Sequence, residues 1–106
     1  MENYSVTMYQ ILKAIEVASR TKSFEYDNTL DLEKLGINEN ELDIILKNLS
    51  DDGFIKGFIF FKGLTGFEAI NPYLTTAGYL YLENNSSMKK AYSFLKEVKG
   101  WIPGFN

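Results

Sequence analysis

The apolar positions in the first third of the chain recur with the period of a helix. One helix is expected over residues 5–20, and its apolar face consists of Met8, Ile11, Leu12, Ile15 and Ala18. Residues 21–28 are mostly polar and are expected to form a connection. Leu30, Leu32 and Leu35 follow as a short apolar element that ends at Gly36, which is typical of a helix stop. The pattern predicts one long helix and then one or two helical turns.

Residues 37–53 carry the signals for both ends of a further helix. Asn38 can cap the first turn, and Glu41, three residues later, can return the hydrogen bond as in a capping box. Ile37 before the cap and Leu42 in the next turn have the spacing of a hydrophobic staple. The Asp-Gly pair at 52–53 is expected to end the helix. The stripe that this helix should bury consists of Leu42, Ile45, Leu46 and Leu49.

After residue 53 the pattern changes to that of strands. Residues 54–61 and 67–70 are rich in aromatic and β-branched side chains, and the two glycines between them suit a hairpin loop over residues 62–66. Pro72 is expected to close the strand region. Strict alternation along the first strand would place residues 55, 57, 59 and 61 on one face and residues 54, 56, 58 and 60 on the other.

Two more helices are expected after the hairpin. Thr75 can cap one that runs through about Leu82, and the polar residues 84–87 interrupt the chain after it. The last helix, over residues 87–102, has an apolar stripe of Met88, Ala91, Tyr92, Leu95, Val98 and Ile102. The whole order predicts a single α+β domain over residues 1–106 with a winged helix-turn-helix fold. It would contain three N-terminal helices, a two-stranded β-wing and two C-terminal helices.

The composition excludes several kinds of chemistry. The 106 residues include neither Cys nor His, so the chain has no thiolate metal ligand, no Cys nucleophile and no imidazole base. Asp51 and Asp52 are adjacent and project differently from a helix end, which makes them a poor acid–base pair. We therefore expect no enzymatic activity, no cofactor, no metal and no small-molecule ligand. Without a leader-like segment or an apolar run of membrane length, a cytoplasmic location without membrane contact is expected.

The net charge of −3 is distributed unevenly along the chain. Residues 31–53 carry two basic and seven acidic side chains, whereas residues 54–106 carry six basic and three acidic ones. The helix over residues 38–52 is therefore acidic, and the last helix is basic.

Short motifs in this order resemble a known family. Residues 37–42 and 46–55 are similar to the join between recognition helix and wing in bacterial winged-helix proteins. Residues 74–82 resemble the start of the helix after the wing, where a leucine and a threonine are followed by two further residues and then a glycine. With the closing residues 91–102, the chain from about Ile11 to Ile102 resembles the YjcQ family of small winged-helix proteins from Gram-positive bacteria and their phages. The resemblance implies the fold and a bacterial or prophage origin, and it carries over no catalytic or ligand residues.

The first functional hypothesis is a DNA-binding or transcription-regulatory module. A helix that enters the major groove offers Arg, Lys, Asn or Gln to bases and phosphates. The residues with this chemistry on the predicted recognition helix and wing are Asn40, Lys47, Asn48, Lys56 and Lys62. Glu39, Asp43 and Asp51 on the same helix would repel phosphate, which counts against duplex DNA. Glu39 and Glu41 have a structural explanation, because acidic residues near a helix N-terminus cap it and favour its dipole.

The alternative hypothesis is a protein–protein interaction module, homodimeric or with another partner, that has the fold but does not bind DNA. Ile44 lies opposite the core stripe and has no capping role, so it is either an ordinary surface residue or part of a contact. Two wing phenylalanines are either covered by another part of the chain or exposed to a partner. The helix over residues 87–102 is a candidate for self-association. The interface candidates are Ile44, Phe58, Phe60, Trp101 and Phe105.

Overall fold

The computed structural model describes residues 4–21, 29–63 and 66–86, and these residues form four helices and one two-stranded sheet. The elements are, in chain order, α1 (Tyr4–Thr21), α2 (Leu32–Leu35), α3 (Glu39–Asp51), β1 (Ile55–Phe60), β2 (Phe67–Leu74) and α4 (Thr76–Asn84). The predicted α+β class and the antiparallel hairpin are confirmed. The expected helix over residues 87–102 and most of the connection over residues 21–28 lie outside the described residues, so the described part holds four helices rather than five.

Helix α1 is the central element of the core. Ile11, Leu12 and Ile15 are fully buried, as their spacing predicts. Burial extends well beyond the predicted face, because Tyr9 and Val17 are also almost inaccessible. Two of the other elements, β2 and α4, pack against α1, and α3 packs against β1.

The burial of α1 includes one charged side chain. Glu16 is only 5% exposed, and its carboxylate accepts a hydrogen bond from the Lys13 ammonium at 2.9 Å. The Arg20 guanidinium pairs with the other carboxylate oxygen from the following turn. Because a buried charge is costly without partners, these two cations on the same helix explain why Glu16 is tolerated there.

Helix α3 begins and packs as its sequence predicts. The Asn38 side chain accepts a hydrogen bond from the backbone N–H of Glu41 at 2.8 Å, and the Glu41 carboxylate accepts one from the backbone N–H of Asn38 at 3.1 Å. This capping box satisfies N–H groups that have no partner inside the helix. The stripe of Leu42, Ile45, Leu46 and Leu49 is fully buried, and each such side chain contributes about 1.5–3 kcal/mol to stability.

The hairpin departs from the predicted strands at one point. Lys56 pairs with Tyr73, and the next regular pair is Phe58 with Ala69. Gly57 therefore faces three residues of β2, over residues 70–72, and the register shifts by two. The backbone shows how this is achieved, because Gly57 has φ 95° and Asn71 has φ 46°.

The irregularity corrects two expectations. It reverses the alternation of β1, so that Ile55 and then Phe58 and Phe60 lie on the core side while Ile59 faces solvent. The second strand does not stop before Pro72 but continues to Leu74. The strand can contain Pro72 because this residue lies in the shifted segment, and each strand of the two-stranded sheet has one unpaired edge. A missing N–H is tolerated at such a position.

Helix α4 is attached directly to the end of α3. The backbone N–H of Thr75 donates to the Phe54 carbonyl at 3.0 Å, and the Thr75 hydroxyl donates to the Gly53 carbonyl. The same hydroxyl oxygen caps α4 by accepting from the Gly78 N–H at 3.2 Å. At Gly78 the helix backbone approaches so closely that an added Cβ would lie 2.4 Å from the Phe54 oxygen. This junction fixes the hairpin between α3 and α4.

Candidate interaction surfaces

The face of α3 opposite the core stripe is open to solvent. Ile44 lies near its middle and is 58% exposed, the largest exposure among the large apolar side chains of the described residues. The polar positions around it that are also exposed are Asn40, Lys47, Asn48 and Asp51. We call these five residues the α3 face. They include all three DNA-contact candidates on this helix, and one of the interface candidates.

The electrostatics of α3 are dominated by carboxylates. Glu39, Glu41, Asp43 and Asp51 lie on the helix, and Lys47 is its single cation. The backbone N–H of Asn38 donates to Glu41 and thereby holds the pKa of that carboxyl below its usual value of 4.5. Glu41 is therefore fully ionised at neutral pH. Even when the two first-turn acids are assigned to capping and the helix dipole, Asp43 and Asp51 outnumber Lys47 on α3, so the helix remains a poor surface for phosphate.

The outward face of the hairpin is a second exposed surface, and it is apolar in its middle. Ile59, Ile70 and Tyr73 are 51%, 55% and 49% exposed. Lys56 and Glu68 are exposed on the same face, since Lys56 pairs with Tyr73 and Glu68 pairs with Ile59 across the sheet. We call these five residues the hairpin face. Lys62 is exposed in the turn at the end of the hairpin.

The wing phenylalanines lie on the other side of the sheet. The rings of Phe58 and Phe60 are stacked at 6.3 Å, and Phe67 contacts Phe58 edge-on at 5.4 Å. All three are partly buried and pack against the main core. Phe58 and Phe60 therefore do not form the exposed patch considered from the sequence. Trp101 and Phe105, the other two aromatic candidates, lie outside the described residues.

Sequence reasoning missed the residues that do form the apolar patch. Ile59 and Ile70 point outward because the alternation reverses opposite Gly57, whereas Tyr73 is outward by regular alternation from the buried Leu74. A glycine inside one strand and a proline inside its partner were the available signal, because both residues are typical of strand irregularities. The surface positions of Lys56 and Lys62 are compatible with the chemistry expected of them, but they lie at separate places, in β1 and in the turn.

Within residues 4–21, 29–63 and 66–86, no group of three or more acidic side chains is arranged to hold a metal ion. Among the helices described, none has the length and apolar character needed to cross a membrane.

Comparisons with known proteins agree with the motifs. The model of the family described as "YjcQ protein" matches residues 9–101. The chain is 32% identical over 94 residues to "Uncharacterized protein YjcQ" of Bacillus subtilis (strain 168), and the match covers 89% of this chain and 92% of that protein. No solved structure is significantly similar to the chain. The family match spans most of the sequence and includes every described element except the first residues of α1, and we conclude that the chain belongs to the YjcQ family.

Proposed function

We propose that the chain is a winged-helix protein-interaction module of bacterial or prophage origin, without enzymatic activity, whose α3 face binds a basic protein. The single observation that carries this proposal is the exposure of Ile44 at 58% in the middle of the open face of a helix that carries four carboxylates and one cation. The order of helices followed by a two-stranded hairpin and α4 supports the winged-helix assignment. In such a fold α3 occupies the place of the recognition helix.

The composition of the α3 face favours a protein over duplex DNA. Ile44 offers an apolar contact, and an interface gains most of its affinity from desolvated apolar groups near its centre. Asp51 lies on the same face, and together with the other carboxylates of α3 it would attract Lys or Arg side chains of a partner. A phosphate backbone has the opposite charge requirement. Binding to this face should weaken as salt increases, because the charges lie at the surface.

Site-specific photo-crosslinking tests the proposal directly. A photoreactive amino acid at position 44, introduced into the protein in its own host cell, should give a discrete adduct with a basic protein. Position 83 on α4 is the matched control, since Glu83 is also an exposed helical residue away from α3. The adduct from position 44 should decrease when Asp51→Lys is added, because that change reverses an exposed charge on the same face of α3, two helical turns from Ile44. Equal adducts from both positions would contradict the proposal.

Duplex DNA is the second candidate, and one observation favours it. Asn40, Lys47 and Asn48 on α3 and Lys56 and Lys62 on the hairpin are all exposed. If these residues contact DNA, the double substitution Lys47→Glu and Lys62→Glu should lower duplex affinity by removing two phosphate contacts. Unchanged affinity would exclude this assignment. An adduct of position 44 with nucleic acid instead of protein would favour it.

A further inference from the structure

We infer that the hairpin face mediates self-association of two copies of the chain, packed face to face about a two-fold axis. This surface is distinct from the α3 face, so the inference does not depend on the proposed function. Three large apolar side chains, Ile59, Ile70 and Tyr73, are each about half exposed there. A contiguous apolar patch with a polar border is typical of a site where another protein binds.

The shape of the hairpin suits a sheet partner. The β1–β2 ribbon is the complete sheet within the described residues, and its core side is occupied by Phe58, Phe60 and Phe67. The opposite side carries the hairpin face, in which Ile59 and Ile70 are turned outward by the irregularity opposite Gly57. Two such faces packed together would bury an apolar layer between two sheets, as in a β-sandwich.

The charges on the hairpin face identify the occupant as a second copy. Lys56 belongs to the Lys56–Tyr73 pair at one end of the ribbon, and Glu68 belongs to the Ile59–Glu68 pair nearer the turn. The two charges therefore lie on different strands and at opposite ends of the apolar patch. A two-fold contact joins each residue to its counterpart twice, so Lys56 of one copy can lie beside Glu68 of the other, and the reverse. An entirely basic or entirely acidic partner would oppose one of the two charges.

Charge reversal with rescue tests this inference. Sedimentation equilibrium from about 10 μM to about 1 mM covers the range in which small interfaces associate. The wild-type chain should shift from monomer to dimer over this range. Lys56→Glu alone and Glu68→Lys alone should each raise the dimer dissociation constant about tenfold, because two attractions become two repulsions. The double variant, with the charges exchanged, should restore the wild-type value.

The matched control is Ile44→Ser, which removes an equally exposed isoleucine from α3 and should leave the dissociation constant unchanged. Ile70→Ser should abolish the dimer, and all variants are checked for folding by circular dichroism. A monomer at every concentration would overturn the inference. So would a dimer that the single charge reversals do not weaken, or that the Ile44→Ser variant loses. These outcomes leave the crosslinking at position 44 unaffected, so the two proposals fail separately.

Discussion

Replacing Gly78 by alanine should destabilise the chain, although the same exchange stabilises most helices. Alanine is favoured over glycine in a helix interior by about 1 kcal/mol, so helix propensity alone predicts a gain. The structure predicts a loss because the new Cβ would lie 2.4 Å from the Phe54 oxygen and 3.2 Å from the Leu74 Cβ. The first distance is about 1 Å shorter than an ordinary contact between carbon and other heavy atoms. Either the backbone of α4 at Gly78 or the carbonyl of Phe54 would have to move by this distance.

The carbonyl of Phe54 cannot move freely, because it accepts the hydrogen bond from the Thr75 N–H. The neighbouring carbonyl of Gly53 is also held, since it accepts a hydrogen bond from the Thr75 hydroxyl. A clash with a held backbone atom belongs to the upper part of the overpacking range, about 2–3 kcal/mol, so a net loss of about 1–2 kcal/mol is expected after the propensity gain of about 1 kcal/mol. In a domain of this size that corresponds to a fall of about 4–16 °C in Tm.

Urea denaturation followed by circular dichroism measures the change. Ala77→Gly is the matched control, because Ala77 is the preceding residue in the same helical turn and is exposed. It reports what the exchange of alanine and glycine is worth where no contact opposes it. A Gly78→Ala variant as stable as the wild type, or more stable, would refute the close approach between α4 and Phe54.

Three further predictions concern the hairpin and the α3 cap. Gly57→Ala should cost about 1–3 kcal/mol more than Gly63→Ala in urea denaturation. Both glycines have positive φ, but only at Gly57 would the added Cβ meet a neighbour, the Pro72 Cα at 2.6 Å. Equal losses of stability would contradict the bulge. Asn38→Ala should lower stability by about 1 kcal/mol through loss of the cap. The Glu41→Ala variant should be less stable than the wild type at pH 7. This difference in stability should shrink as the pH falls below 4.5 and through the lowered pKa of Glu41 in the folded state, because protonation of Glu41 removes the stabilisation. A difference independent of pH would contradict the hydrogen bond from Asn38.

Local signals predicted most of the helical part of the fold. The ends and the buried stripe of α3 follow from residues within a few positions of each other, such as Asn38 with Glu41, and the structure contains the same hydrogen bonds. Thr75 was likewise identified as a cap from its own neighbourhood. Such interactions are set by backbone groups of one or two turns, so one sequence is sufficient to find them.

Pairing between strands was the part that local pattern could not determine. The sequence pattern predicts that Gly57 belongs to a regular alternation and that Pro72 ends a strand. In the structure the two residues lie opposite each other where the register shifts. Which residues pair across a hairpin depends on contacts between residues far apart in sequence, and an irregular residue such as Gly57 reverses the face of every residue beyond it in the strand. The hairpin face could not be anticipated for this reason. The exposure of Ile44 could be, because it depends only on helical geometry within α3.

The sign of charge on α3 carries the central claim, that the chain presents this helix to a protein and not to duplex DNA. The most direct test is a titration of the protein into labelled random duplex DNA at about 50 mM and about 200 mM salt, a range over which phosphate-driven binding falls steeply. The account predicts no binding at micromolar protein even at the lower salt, because the four carboxylates of α3 outnumber its single cation, Lys47. Micromolar binding that weakens strongly at the higher salt would contradict it.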